Sequence, residues 1–132
     1  MLQIAFIGTL NQTNSIVSEM LNIHFDSEIE FISPSEFFSR SHNKTMGDKD
    51  LVFVDINTST GLGNAPQKVA RLKKIFPNTP IVVMHGYTHA RFTESLVKAG
   101  ANGILSITPS EEKLREAVTQ VMDGNTYDGF TE

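Results

Sequence analysis

Two side chains of this sequence are placed well for chemistry, an aspartate and a histidine that each close an apolar run. Asp55 follows the apolar residues 51–54, and His85 follows the apolar residues 81–84. A carboxylate in such a place can act as a nucleophile or bind a divalent cation, and an imidazole titrates near neutral pH. The chain contains no cysteine, so thiolate nucleophiles, thiolate metal sites and disulfides are excluded.

The other candidate residues do not match a known catalytic pattern. The histidines have no metal-ligand spacing on a shared helix, which argues against a zinc site; they are His24, His42, His85 and His89. The turn at residues 61–63 lacks the Lys-Ser/Thr pair of a P-loop and the third glycine of a dinucleotide fingerprint. No serine lies in a Gly-x-Ser-x-Gly context. We therefore expect that the domain is not an enzyme.

Short apolar segments alternate along the chain with longer segments of helical period. Strands are predicted at residues 2–7, 28–32, 50–56, 81–84 and 104–105. A short helix is predicted after Ser33-Pro34, and the last helix is predicted to begin at Ser110 and to end at Gly124. This alternation indicates an α/β fold, a doubly wound parallel sheet with helices on both faces.

Ligand chemistry in such a sheet lies at the carboxyl ends of the strands. The sequence places both Asp55 and His85 at that edge. The full set of positions expected there is Gly8, Thr9, Asp55, Ile56, Asn57, His85, Gly86, Ile107 and Thr108.

Length and charge limit the partners of the chain. Its 132 residues suit a single domain, and 11 Lys+Arg against 15 Asp+Glu give a formal net charge of -4. That balance argues against nucleic-acid binding by this domain itself, which would require clustered basic residues. No apolar run approaches the roughly 20 residues that span a bilayer, and the amino terminus has no basic leader. We expect a cytoplasmic domain without membrane contact.

Four segments in this order resemble the receiver domain of two-component response regulators. Residues 50–56 resemble the third receiver strand with its phosphorylated aspartate, and residues 76–84 resemble the run into the fourth strand. Residues 99–105 resemble the Gly-Ala-x-Gly-Tyr-Leu segment, and residues 109–114 the start of the last helix. The similarity spans residues 1–124 and is nearest in type to the receiver half of NarL/LuxR-type regulators. It implies a flavodoxin-like, three-layer αβα sandwich with a five-stranded parallel sheet in the order 2-1-3-4-5.

The resemblance implies which residues of this chain occupy the receiver site positions. Most of these residues differ in type from those of the family. The acidic pair falls on Gly8 and Thr9, the phosphoacceptor on Asp55, the Thr/Ser on His85 and the lysine on Ile107. The aromatic switch position falls on Ile104. Asp55 alone matches, so it is the phosphoacceptor candidate and a weak magnesium candidate. We expect no other cofactor, and magnesium only if the domain is competent for phosphorylation.

The resemblance implies a signalling function with alternatives. We expect an atypical receiver domain of a phosphorelay that regulates transcription through a DNA-binding output domain absent from this chain, acting by phosphorylation-independent protein interaction. The alternatives are a conventional switch phosphorylated at Asp55 by a sensor histidine kinase, and a pseudo-receiver that senses a small ligand. Residues 125–132 are expected to be a tail or the start of a linker, and the last helix to take part in a homodimer.

Two interpretations of His85 remain open at this point. In one, the imidazole forms a hydrogen bond or ion pair with Asp55 and holds the loop after the fourth strand. In the other, His85 is packed or faces solvent and has no functional role. This interpretation is favoured because lone histidines rarely have special roles.

Overall fold

The computed structural model of this chain describes residues 1–33, 48–56, 65–86 and 90–130. The strands are β1 Leu2–Ile7, β2 Ser27–Ile32, β3 Leu51–Ile56, β4 Ile81–His85, β5 Gly103–Ser106 and β6 Tyr127–Asp128. The helices are α1 Gln12–His24, α2 Ala65–Ile75, α3 Ala90–Ala99 and α4 Glu111–Met122. Five predictions lie outside the described residues: the short helix after Ser33, the carboxyl-edge position Asn57, the turn at residues 61–63, His42 and His89.

All the strands form one parallel sheet in the order β2-β1-β3-β4-β5-β6. The predicted order 2-1-3-4-5 and the flavodoxin-like α/β class are confirmed. In addition to the five predicted strands, the described residues include a sixth, β6, which pairs with the outer edge of β5. A strand of two residues is too short to produce an alternating hydrophobic pattern, and for that reason the sequence did not indicate it.

The sheet separates two apolar clusters because successive side chains of a strand point to opposite faces. Val52, Val54 and Val83 lie on the face covered by α2 and α3. Phe53, Val82 and Met84 lie on the face covered by α1 and α4. The face to which each side chain at a strand end points therefore decides which helix it meets.

Polar caps set where α1 and α4 begin, and thereby position the loops at the carboxyl edge of the sheet. The side chain of Asn11 accepts a hydrogen bond from the backbone N–H of Asn14 at 2.8 Å. Ser110 caps α4 in the same way, by accepting from the N–H of Lys113 at 3.1 Å. In the described ranges, no helix has the length and apolar character needed to cross a membrane.

Candidate functional site

The carboxylate of Asp55 is held from the α1 side of the sheet. Asp55 is only 5% exposed and lies one residue before the end of β3. The Nδ2 amide of Asn14, in the first turns of α1, donates to Oδ2 of Asp55 at 3.1 Å and to the carbonyl oxygen of Thr9 at 2.7 Å. Asn14 is itself buried. One amide group thus ties α1, the loop after β1 and the end of β3 together.

Gly8 lies so close to Asp55 that a side chain has little room there. A Cβ atom at position 8 would be 3.1 Å from Cβ of Asp55, 3.2 Å from Nδ2 of Asn14 and 3.2 Å from Cε1 of Phe6. The next residue, Thr9, is exposed. In the described part of the chain, the Asn14 amide and the backbone at Gly8 therefore lie beside Asp55.

Among the described residues, the side-chain groups beside Asp55 do not make a magnesium donor set. Mg²⁺ prefers an octahedral set of oxygens that includes carboxylates. The described residues contain no cluster of three or more His, Cys, Asp or Glu side chains that could hold a metal ion. The Asn14 amide bound to Oδ2 of Asp55 is an N–H donor, which repels a cation.

His85 lies on the opposite face of the sheet from Asp55. It follows Val83 at a two-residue spacing, on the face covered by α2 and α3. Its imidazole meets Phe92 of α3 edge-on, with ring centroids 4.9 Å apart, and stacks on Phe130 at 4.8 Å. The side chain is completely buried. Burial lowers the pKa of His85, and the charge of Asp128 opposes that effect in part.

The interpretation of His85 as a partner of Asp55 is therefore wrong. Asp55 is paired in register with Met84, and His85 with Ile56. Because side chains alternate along each strand, Asp55 points to α1 while His85 points to α3. The packed interpretation describes His85 correctly, although its ring contacts tie it to two other elements.

Apolar packing occupies the end of β5 and the loop that follows it. The backbone N–H of Ile107 donates to the carbonyl oxygen of His85 at 3.2 Å, which joins this loop to the end of β4. Cδ1 of Ile107 would lie 3.6 Å from a Cβ atom at Gly86. Ile104 is fully buried and is paired in register with Val83. Hydrocarbon side chains and a backbone hydrogen bond therefore join the ends of β4 and β5.

Comparison with known proteins gives a match to a curated sequence and many matches to solved structures. No protein-family model matches the chain. The transcriptional regulatory protein ComA of Bacillus subtilis is 30% identical over 97 residues, which cover 74% of this chain and 44% of ComA. The chain spans less than half the length of that curated relative.

Solved structures with high similarity are response regulators. A LuxR family DNA-binding response regulator from Silicibacter pomeroyi has a TM-score of 0.75 at 18% identity, with 96% of each chain covered. The non-phosphorylated receiver domain of the stress response regulator RcsB from Escherichia coli has a TM-score of 0.77 at 14% identity, with 96% of this chain and 97% of that one covered. This chain is receiver-like in sequence and in fold. The resemblance inferred from the four sequence segments is thereby confirmed.

The receiver-like site positions fall into two groups on this fold. Gly8 and the Thr9 carbonyl adjoin Asp55 and Asn14, and Ile107 packs on the same α1/α4 face, whereas the side chain of His85 points to the other face. All of them lie at the carboxyl edge of the sheet, as predicted.

Sequence reasoning missed two residues of this receiver-like site. Asn14 is a polar residue on the inward face of an amphipathic helix, beside Val17 and Leu21. A polar residue among inward apolar ones indicates a buried hydrogen bond, and this pattern could have pointed to Asn14. Phe130 lies in a short segment after α4 that has no periodic pattern. Only the fold shows that it reaches His85.

Proposed function

We propose that this chain is an atypical receiver domain that signals through protein contacts that do not depend on phosphorylation of Asp55. The observation that carries the proposal is the Asn14 amide, which donates to the Asp55 carboxylate in the place where the receiver resemblance would put acidic side chains. Gly8 supports it, because the gap beside Asp55 is too tight for an added side chain without movement.

The apolar residue at the lysine position supports slow phosphotransfer at Asp55. Transfer of a phosphoryl group relies on cations that neutralise its oxygens. A lysine charge at ~4 Å is worth ~4 kcal/mol at an effective dielectric of about 20. Replacing it by the side chain of Ile107 therefore costs on the order of a thousandfold in rate, before the missing metal ligands are counted.

We assign the domain to transcription control within a two-component pathway. The relative at 30% identity is a transcriptional regulatory protein, and one structural neighbour is a DNA-binding response regulator. The domain's own net charge of -4 favours DNA contact through another part of a longer protein. A sensor histidine kinase remains the partner that the alternative, a conventional phosphorylated switch, would require.

Exposed apolar residues on α1 and α4 support a homodimer. Ile16 and Ile23 lie two turns apart on α1 and are 49% and 72% exposed, and Met122 at the end of α4 is 39% exposed. Helices α1 and α4 are neighbours on the same face of the sheet. An isologous contact through these helices would be set by packing alone.

A small-ligand sensor receives little support from the groove beside α1, which lies among the described residues. A groove beside α1, lined by Thr13, Ile16, Val17, Met20, Thr108 and Pro109, has a volume of about 160 Å³. Pockets for small organic ligands are usually about 300–1,000 Å³. This groove suits a side chain from a protein partner better than a metabolite.

Sedimentation velocity tests the proposed function. Three samples are compared at tens of micromolar: wild type, wild type treated with acetyl phosphate and magnesium, and Asp55→Asn. We expect the same dimer distribution in all of them. Association that appears only after treatment and is lost in Asp55→Asn would establish the conventional switch instead. A monomer in every sample would overturn the homodimer and leave a different protein as the partner.

A further inference from the structure

The C-terminal strap, defined as residues 127–130, covers His85. The ring of Phe130 stacks on the imidazole at 4.8 Å with an interplanar angle of 26°, while Phe92 closes the other side. Phe130 also packs against the apolar cluster that contains Val83 and Ile104. The end of β4 is therefore buried by a segment that lies more than forty positions further along the chain.

Hydrogen bonds pin the strap to β5 and α4. The backbone N–H groups of Tyr127 and Gly129 donate to the carbonyl oxygens of Asn102 and Ile104 at 2.9 and 2.7 Å. The ammonium group of Lys113 donates to the carbonyl oxygen of Gly129 at 2.6 Å. These distances are those of well-formed hydrogen bonds.

The strap nevertheless has the features of a segment that opens locally. Strand β6 has two residues and lies at the sheet edge, whereas each of β1, β3 and β4 has a neighbour on both sides. Residues 123–126, which lead into it, are exposed, and Gly124 has a φ of +87°. Segments with few buried contacts and an exposed hinge open locally without unfolding of the rest of a domain.

Docking of the strap depends on a glycine as well as on the ring stack. A Cβ atom at Gly129 would lie 2.9 Å from the carbonyl oxygen of Ile104 and 3.0 Å from Cδ2 of Leu105. The first of these contacts is with backbone, which cannot move aside like a flexible side chain. Any larger residue at position 129 would therefore push the strap away from β5.

We infer that the C-terminal strap is a reversible cover, locked by the stack of Phe130 on His85, that couples the packing at the end of β4 to the segment following α4. The inference deepens the proposed function, on which its signalling role rests. When the strap is docked, His85 is buried and the outer edge of β5 is paired. When it is released, His85 and that edge become accessible, and any part of the protein attached behind the strap is freed.

The test uses nuclear magnetic resonance on the full chain. Gly129→Ala releases the strap by a clash that touches neither ring, and Phe130→Leu removes the stack while keeping an apolar side chain. Thr126→Ala, in the exposed turn before the strap, is the matched control. The readouts are the titration of the His85 ring and the hydrogen exchange of the Tyr127 and Gly129 amides.

We expect both strap variants to change the titration of His85, because release exposes its ring and removes the charge of Asp128, and to accelerate exchange of the two amides, while Thr126→Ala changes neither. Unchanged His85 titration in Gly129→Ala with fast strap exchange would overturn the coupling. Slow exchange in that variant would overturn the docked arrangement. Phosphate incorporation at Asp55, on the other face of the sheet, would overturn the proposed function and leave these readouts unaffected.

Discussion

Nδ2 of Asn14 donates to Oδ2 of Asp55 across 3.1 Å, so the buried carboxylate near the end of β3 is bound by an amide from α1. The same amide binds the carbonyl oxygen of Thr9. Because Asn14 and Asp55 are both buried, these bonds satisfy polar groups that water does not reach.

Replacing Asn14 by alanine will destabilise the domain. The change leaves the buried Asp55 oxygen without this donor, which costs about 1–3 kcal/mol, and it also removes the bond to the Thr9 carbonyl. Urea denaturation followed by circular dichroism measures the effect. Asn22→Ala, on the exposed face of the same helix, is expected to cost less than half as much. Equal losses in the two variants would show that the Asn14 bonds contribute nothing particular.

Replacing Asn14 by aspartate will make stability depend on pH in a new way. Two carboxylates would then share the site, and like charges disfavour simultaneous ionisation. We expect Asn14→Asp to be less stable than wild type at pH 7.5 and to recover on acidification toward pH 5, as one carboxyl takes up a proton. Asn22→Asp adds the same charge in solvent and should show no such recovery.

A methyl group at position 8 will strain the site. Gly8→Ala places its Cβ 3.1 Å from Cβ of Asp55 and 3.2 Å from Cε1 of Phe6, so neighbours must shift at a cost of about 1–3 kcal/mol. Thr9→Ala is the control, since Thr9 is exposed and such changes stay within about 0.5 kcal/mol. Thermal unfolding of the two variants separates them. A Gly8→Ala protein as stable as wild type would show that the space beside Asp55 is open.

Stability will fall on mild acidification because of His85. Burial holds its pKa below the ordinary 6.5 in the folded protein, with Asp128 acting in the opposite direction. The folded state thus binds this proton less readily than the unfolded state. The resulting stabilisation is fully present above about pH 6.5 and is lost as pH falls through the folded-state pKa. Urea midpoints between pH 7.5 and 5 should fall less in His85→Leu than in wild type, while His24→Gln, at the end of α1, retains the His85 contribution.

The homodimer predicts a difference between two exposed apolar positions. Ile23→Glu on α1 places a charge within the proposed contact and should give a monomer by sedimentation velocity. Val97→Glu on α3 lies on the opposite side of the sheet and should leave the dimer intact, although Val97 is also exposed. Loss of the dimer in both variants, or in neither, would contradict a contact through α1.

Much of the fold could be read from the sequence, because each long strand is an apolar run and each helix has inward residues at regular spacing. The strand order came from the resemblance and not from periodicity. Strand β6 could not be foreseen, since two residues carry no pattern and its pairing depends on Gly129 fitting against the Ile104 carbonyl. The formation of β6 therefore depends on packing between residues far apart in the sequence.

The location of the receiver-like site positions at the carboxyl edge of the sheet was predicted, but the contacts of their side chains were not. Gly8, Asp55 and Ile107 lie at the carboxyl edge as expected, because parallel strands end there together. His85 was expected beside Asp55, yet the pairing of Asp55 with Met84 puts the two side chains on opposite faces. Strand register fixes that outcome, and a single sequence does not reveal register to within one residue.

Intact-mass spectrometry after incubation with acetyl phosphate and magnesium tests the central claim most directly. Wild type is compared with Asp55→Asn and with the double variant Thr9→Asp/Ile107→Lys, which restores one acidic side chain and the cation of the receiver pattern. We predict no stoichiometric phosphate on wild type or Asp55→Asn, and a gain of one phosphate on the double variant. One phosphate on wild type, formed as fast as on the double variant and absent from Asp55→Asn, would contradict the account.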